Sequence, residues 1–316
     1  LAVFYPYRTP GTLEVATAAI LVSAITAVAL VRWRREPWLG TGWFWFLGVL
    51  FPVSGVLQAG DQGLADRFTY LPHVGLSVAA TWTAAGLVRR RPVAAALSIA
   101  VLAALAARTR VEVGYWRTNE SLFRRALEVT EGNHVALRMV GDELAGRGDL
   151  AAAEGCYREA LRHEPLEHAA RGNLGVVLAR QGRHEEAVAT QLQVLERFPA
   201  DARACYHLGL SYQALGRLDE AIESQRRALA AEPLLQPAAR ALGDALLEAR
   251  RYAQAAAAYA GAIELAPGDA RSRRGLGEAY LRSGRRVQAV AVLREALRLD
   301  PADEATRRLL DEAGRE

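Results

Sequence analysis

A period of 34 residues constrains this chain more than any other feature. With His134, His168, Ala202, Gln236 and Ala270 as first positions, five blocks fall into register without insertion or deletion. The eighth position is Gly in each (Gly141, Gly175, Gly209, Gly243, Gly277) and the twentieth is Ala (Ala153, Ala187, Ala221, Ala255, Ala289). The thirty-second is Pro throughout: Pro165, Pro199, Pro233, Pro267 and Pro301. Small residues at 8 and 20 predict two helices that approach closely there. Proline at 32 predicts the end of the second helix, because its ring cannot accept the preceding turn. Val140, Leu174, Leu208, Leu242 and Leu276 at position 7, with Tyr157, Tyr212, Tyr259, Tyr280 and Leu293 at positions 11 and 24, fill the seam. Gly148, Gly182, Gly216 and Gly284 stand between the helices, where a left-handed residue is needed. One such hairpin cannot bury its own apolar face, so the blocks must stack into a solenoid with a concave wall.

The pattern resembles the tetratricopeptide repeat over more than half the chain. The resemblance implies a right-handed α-solenoid whose groove takes a protein or peptide partner. Residues 134–301 form the five repeats. Residues 302–316 continue the register, with Leu310 at position 7 and charge elsewhere, as a solvating C-terminal cap. Residues 111–133 form a bridging half-repeat, with Phe123 and Ala126 where positions 24 and 27 would fall. Positions 2, 5, 9 and 12 of each first helix should face the groove. The groove candidates at positions 5 and 9 are Arg138, Asp142, Tyr206, Arg240, Asp244, Arg274 and Glu278, with Asn173 beside them at position 6. Three Arg–acid pairs recur four residues apart on this face. They admit two readings: pairing within each helix, worth a few tenths of a kcal/mol or about 0.3, or a mixed-charge surface that grips an extended polypeptide. Asparagine at position 6 occurs only as Asn173, so no continuous asparagine ladder is present.

Ahead of the repeats, residues 1–110 read as a membrane region with about four transmembrane helices. The uncharged runs are 13–31 (with Glu14 at its edge), 38–58, 68–88 and 93–107, the last lengthened by Pro92 and a snorkelling Arg108. Trp38, Trp43 and Trp45 crowd one end of the second, as an interfacial belt requires. The fold class is all-α: multi-span transmembrane helices followed by a tetratricopeptide-repeat solenoid. The competing reading is that these runs are buried helices of a soluble protein. Arg32, Arg34 and Arg35 follow the first run, and Arg89, Arg90 and Arg91 follow the third. By the positive-inside rule both loops are cytoplasmic, which puts residues 59–67 and the repeats on the non-cytoplasmic side. The chain opens on Leu1 and runs straight into residues 2–7, like the continuation of something longer.

Composition excludes several chemistries. All 39 basic residues are arginine, so a phosphate-loop lysine, a Schiff-base lysine and a lysine general base are absent. The net charge of +4 is spread among Glu and Asp in the repeats and gives no reason to expect nucleic acid. Cys156 and Cys205 fall at unmatched repeat positions, and the six histidines form no metal-binding spacing, so no metal site and no cofactor are expected.

The run Ala65-Asp66-Arg67-Phe68-Thr69-Tyr70-Leu71-Pro72 enters the third span, an LAVFYPY segment lies two spans earlier, and tetratricopeptide repeats follow. This order of parts is similar to the multi-spanning protein O-mannosyltransferases with lumenal repeats and their bacterial relatives. The resemblance implies a GT-C-type glycosyltransferase. It would transfer a mannose-like sugar from a polyprenyl-phosphate donor to protein on the non-cytoplasmic face of, here, a bacterial inner membrane. Such transfer needs a carboxylate to deprotonate the acceptor hydroxyl and cationic groups on the leaving phosphate. In that family the catalytic acids lie in an early external loop that this chain does not contain, which leaves Asp61 as the remaining candidate. Arg67, oriented by Asp66 and with Tyr70 nearby, is the candidate donor-phosphate site; a structural ion pair at a helix start is the other reading. Two functions stay open: the C-terminal part of such a transferase, and a membrane-anchored repeat scaffold that binds protein partners without catalysis.

Overall fold

The computed structural model describes residues 11–50, 70–87 and 91–314. Among the described residues every regular element is a helix. The chain divides into two compact units, one up to Leu166 and one from Glu167.

The first unit begins with α1 (Thr12–Arg32), α2 (Pro37–Leu50), α3 (Tyr70–Leu87) and α4 (Arg91–Tyr115). The helices α2 and α3 pack closely because each presents a glycine to the other. A Cβ on Gly42 would lie 2.3 Å from the Gly75 carbonyl oxygen, and one on Gly75 would lie 2.4 Å from that of Gly42. Two indole N–H groups tie the neighbours: Trp43 Nε1 donates to Thr26 Oγ1 of α1 at 2.9 Å, and Trp38 Nε1 to Thr83 Oγ1 of α3 at 3.3 Å.

Among the described residues two stretches, Thr12–Arg32 and Pro92–Tyr115, are long and apolar enough to cross a membrane. The second expected run reaches Leu50 as α2, and residues 51–58 lie outside the described residues. The third appears as the 18-residue α3. The fourth run is longer than its sequence pattern predicts. The helix α4 continues through Arg108, Arg110 and Glu112 to Tyr115, with Arg108 and Glu112 paired at 3.5 Å.

A tight turn separates α4 from α5 (Asn119–Val129), whose N-cap Thr118 accepts from the Ser121 N–H. Ser121 Oγ donates to the Tyr115 carbonyl at 2.9 Å, and the Arg125 guanidinium lies 5.0 Å from the centre of the Tyr115 ring. The helix α5 lays Ala126, Phe123 and Leu127 on Ala136 of α6 (His134–Arg147), which pairs with α7 (Leu150–His163).

The second unit holds α8 (His168–Arg180), α9 (His184–Arg197), α10 (Ala202–Ala214), α11 (Leu218–Ala231), α12 (Gln236–Glu248), α13 (Tyr252–Leu265), α14 (Ala270–Arg282), α15 (Arg286–Leu299) and α16 (Glu304–Gly314). Every second helix of a repeat stops two residues before its proline, because the residue preceding proline is pushed out of the helical region. The first helices α8, α10, α12, α14 and α16 touch one another in succession. The second helices contact their own hairpin partner and the first helix that follows. The wall of first helices is therefore the inner one. The core between the layers is built from Leu208, Ile222, Leu246, Tyr259 and the fully buried alanines at position 20.

Candidate functional site

Position 24 decides what each glycine at position 8 receives. Gly243 admits the Tyr259 ring, which a Cβ there would meet at 2.7 Å, and Gly141 admits Tyr157 at 2.8 Å. The buried tyrosines reach through to the inner face: Tyr259 Oη donates to Asp244 Oδ1 at 2.6 Å and Tyr157 Oη to Asp142 Oδ1 at 2.7 Å. Burial first, then the adjacent carboxylate, pushes both phenols well above their ordinary range, so they act as fixed donors. In the second and third repeats position 24 is Gln191 and Gln225, each 1% exposed. Their Nε2 atoms donate to the Gly172 and Tyr206 carbonyls at 2.9 and 3.1 Å, while the two Oε1 atoms have no partner. Position 9 is correspondingly apolar there, as Val176 and Leu210.

The groove candidates divide between the units. In the first unit Arg138 and Asp142 form the expected pair four residues apart, at 3.0 Å. In the second unit Arg240 and Arg274 do not pair within their helices as the spacing predicts. Each reaches the aspartate that precedes the next first helix: Arg240 to Asp269 at 3.5 Å and Arg274 to Asp303 at 2.9 Å. These aspartates are N-caps, oriented by the N–H groups of Arg271 and of Ala305 and Thr306, and so present a fixed carboxylate that a same-helix partner cannot match. Burial works to raise their carboxyls, but hydrogen bonds from Ser272 and Thr306 and the arginine charges outweigh it and hold both below the usual value. Glu278 instead lies 3.7 Å from Arg282.

Four of the candidates meet in one cavity of about 420 Å³ in the second unit: Arg240, Asp244, Arg274 and Glu278, joined by Leu247, Tyr259, Arg271 and Gly275. Loss of hydration in this wall raises the Asp244 carboxyl, against the lowering influence of Tyr259, Arg240 and Arg274. Tyr206 and Asn173 sit half-buried on α10 and α8. His207, its ring tilted against that of Tyr206 with centroids 4.9 Å apart, is pulled down by burial to about 4 and is neutral at pH 7. Arg271 stands at position 2, which the spacing assigns to the groove, though it was not among the named candidates. Tyr259, read as seam filling, and the capping aspartates were missed; the recurrence of Asp at the position before a first helix (Asp201, Asp269, Asp303) was the available signal. Asp61, Asp66 and Arg67 lie outside the described residues, as does the side chain of Tyr70.

Stacked helix pairs with one continuous inner wall define the tetratricopeptide class, and models of the tetratricopeptide repeat match residues 139–194, 202–233 and 240–304. The hairpins are tetratricopeptide repeats, modules that bind peptide or protein partners. Among individual proteins, the chain is similar to Protein O-mannosyl-transferase TMTC4 of Mus musculus, 35% identical over 125 residues. The Homo sapiens protein of that name is 33% identical over 124 residues. Each match covers 38% of this chain and 16% of the relative, so the chain spans about a sixth of the relatives' length. Among solved structures, Pseudomonas aeruginosa PilF superposes with a TM-score of 0.55 at 22% identity, covering 66% of this chain and 96% of that one, which shows a shared fold.

Proposed function

We propose that the chain is a membrane-anchored module whose inner wall of first helices holds an extended polypeptide beside the bilayer. One observation carries this reading. The helix α4 is apolar along its first two-thirds, has no cover over its apolar stretch among the described residues, and joins through a clamped turn to α5, which packs on the first repeat. A soluble core helix of that composition would be buried. Leu97, Ile99, Leu102 and Leu105 are more than half exposed and point in different directions, so lipid is their natural cover. The remaining apolar runs then make about four spans, and the arginine clusters after the first and third put the repeats on the non-cytoplasmic side. Cells bearing single cysteines at exposed Leu234 and at Arg34 test this. A membrane-impermeant maleimide should label the first and not the second in intact spheroplasts, and the reverse pattern rejects the orientation.

A second reading is favoured by the similarity to the protein named O-mannosyl-transferase and by the ADRFTYLP run. Here the chain is the C-terminal part of a GT-C-type transferase that passes a mannose-like sugar from a polyprenyl phosphate to protein held by the repeats. Arg67, Asp66 and Tyr70 would hold the donor phosphate and Asp61 is the candidate base. The test is incorporation of radiolabelled mannose from polyprenyl-phosphate mannose into protein, in membranes expressing the intact gene. Arg67→Ala should lower it at least tenfold, whereas unchanged incorporation removes Arg67 from the site.

A further inference from the structure

We infer that the cavity between α12 and α14 accepts a long basic side chain, Lys or Arg, projecting from the extended polypeptide bound to the inner wall. The inference rests on the peptide-binding reading and names what one part of that wall selects. Its basis is which charges are already matched. Arg240 is paired with Asp269, Arg274 with Asp303, and Arg282 with Glu312 at 2.6 Å. Two carboxylates on the cavity wall keep spare capacity. Asp244 uses one oxygen for the Tyr259 hydroxyl, and Glu278 has only the 3.7 Å contact with Arg282, which it shares with Glu312. The two stand on neighbouring first helices and line the same space.

The rest of the lining fits the stem of such a side chain. Leu247 offers an apolar side wall along which a three- or four-carbon chain can lie while its charged end reaches the carboxylates. Gly275 is the floor. A Cβ there would overlap the Tyr259 ring, so the glycine lets that ring pack against the α14 backbone and seats its hydroxyl beside Asp244. Arg271 is exposed at the rim and matches an acidic residue or a backbone carbonyl of the same polypeptide. An acidic side chain entering the slot would instead meet Asp244 and Glu278 while the two flanking arginines are already satisfied. A metal ion is a poorer occupant, because no third carboxylate, histidine or cysteine joins these two among the described residues.

The test pans the full chain, in nanodiscs, against a random phage-displayed peptide library and then measures affinities of the enriched peptides by fluorescence anisotropy. The enriched set should share one Lys or Arg. Replacing that lysine by norleucine, which keeps the stem and leaves the protein untouched, should weaken binding about tenfold, as should Asp244→Asn combined with Glu278→Gln. Asparagine still accepts the Tyr259 hydroxyl, and an unchanged thermal transition certifies the fold. Peptides that bind the wall without a basic residue, or whose affinity ignores both changes, overturn the inference and leave the peptide-binding reading standing. No enrichment above an empty nanodisc overturns both.

Discussion

Arg274 Nη1 lies 2.9 Å from Asp303 Oδ2, twenty-nine residues further on, and thereby ties the last repeat to the terminal helix. Asp303 does two jobs: it caps α16 through the Ala305 and Thr306 N–H groups, and it neutralises Arg274. The two contributions are separable. Asp303→Ala should destabilise the C-terminal end by about 1–2 kcal/mol, chiefly through the lost cap. Arg274→Ala should cost about 0.2–1 kcal/mol, because the guanidinium is a third exposed and solvent screens the pair. Urea unfolding of the single and double variants would give a coupling energy; a value of zero would reduce the pair to a bystander.

Acid should loosen the same end. The carboxyls of Asp269 and Asp303 are held below their ordinary value in the folded chain. A depressed folded value contributes stability that is present above the unfolded value, near 3.8, and disappears as pH falls through the folded one. Asp244 is raised and acts in the opposite sense, gaining on protonation. The discriminating measurement is therefore a difference. The gap in urea midpoint between the native chain and Asp303→Asn should be constant from pH 7 to 5 and shrink between about pH 4 and 2. A gap that does not narrow in acid means the aspartate's charge plays no part.

Arg250 occupies the place that glycine fills in the other four repeats, with φ at 61°. A side chain in the left-handed region costs about 1–2 kcal/mol, and the turn keeps its shape because Arg251 N–H still bonds to the Leu246 carbonyl at 2.8 Å. Arg250→Gly should accordingly raise stability by about 0.5–1 kcal/mol, the glycine's larger unfolded entropy taking back part of the gain. Scanning calorimetry would show a higher Tm; a lower one would mean that the arginine side chain contributes a contact worth more than the strain.

The repeat frame was legible because it rests on residues that are small or rigid for local reasons: glycine and alanine where helices touch, proline where one ends. The site was half legible. The inner-wall positions follow from helical spacing, and Arg240, Asp244, Arg274 and Glu278 do share one cavity. Their pairing was not legible, because spacing along one helix is blind to a cap on the next. Arg274 prefers Asp303, which backbone N–H groups hold in place, over Glu278, whose side chain is free to turn toward Arg282. The buried amides were hidden for a related reason. Gln191 and Gln225 occupy the same place as Tyr259 and Leu293, and only the glycine opposite makes polar and apolar side chains interchangeable there.

The proposed membrane anchorage has its own consequence in α1 and α4. Leu21 and Leu102 lie near the middles of these helices, and both are more than 60% exposed to the surroundings. In water such residues tolerate arginine with little effect, whereas at the centre of a spanning helix arginine costs about 2.5–3.5 kcal/mol. Leu21→Arg combined with Leu102→Arg should therefore lower the carbonate-resistant fraction of the chain several-fold. Leu234→Arg, at a site 77% exposed in the turn after α11, should leave it unchanged. On that proposal the clamp of Ser121 and Arg125 on Tyr115 would hold the first repeat to the anchor, and residual membrane-bound chain should keep its repeats folded and protease-resistant. Equal carbonate resistance for both variants and the native chain would mean that the bare faces of α1 and α4 are covered by protein rather than lipid.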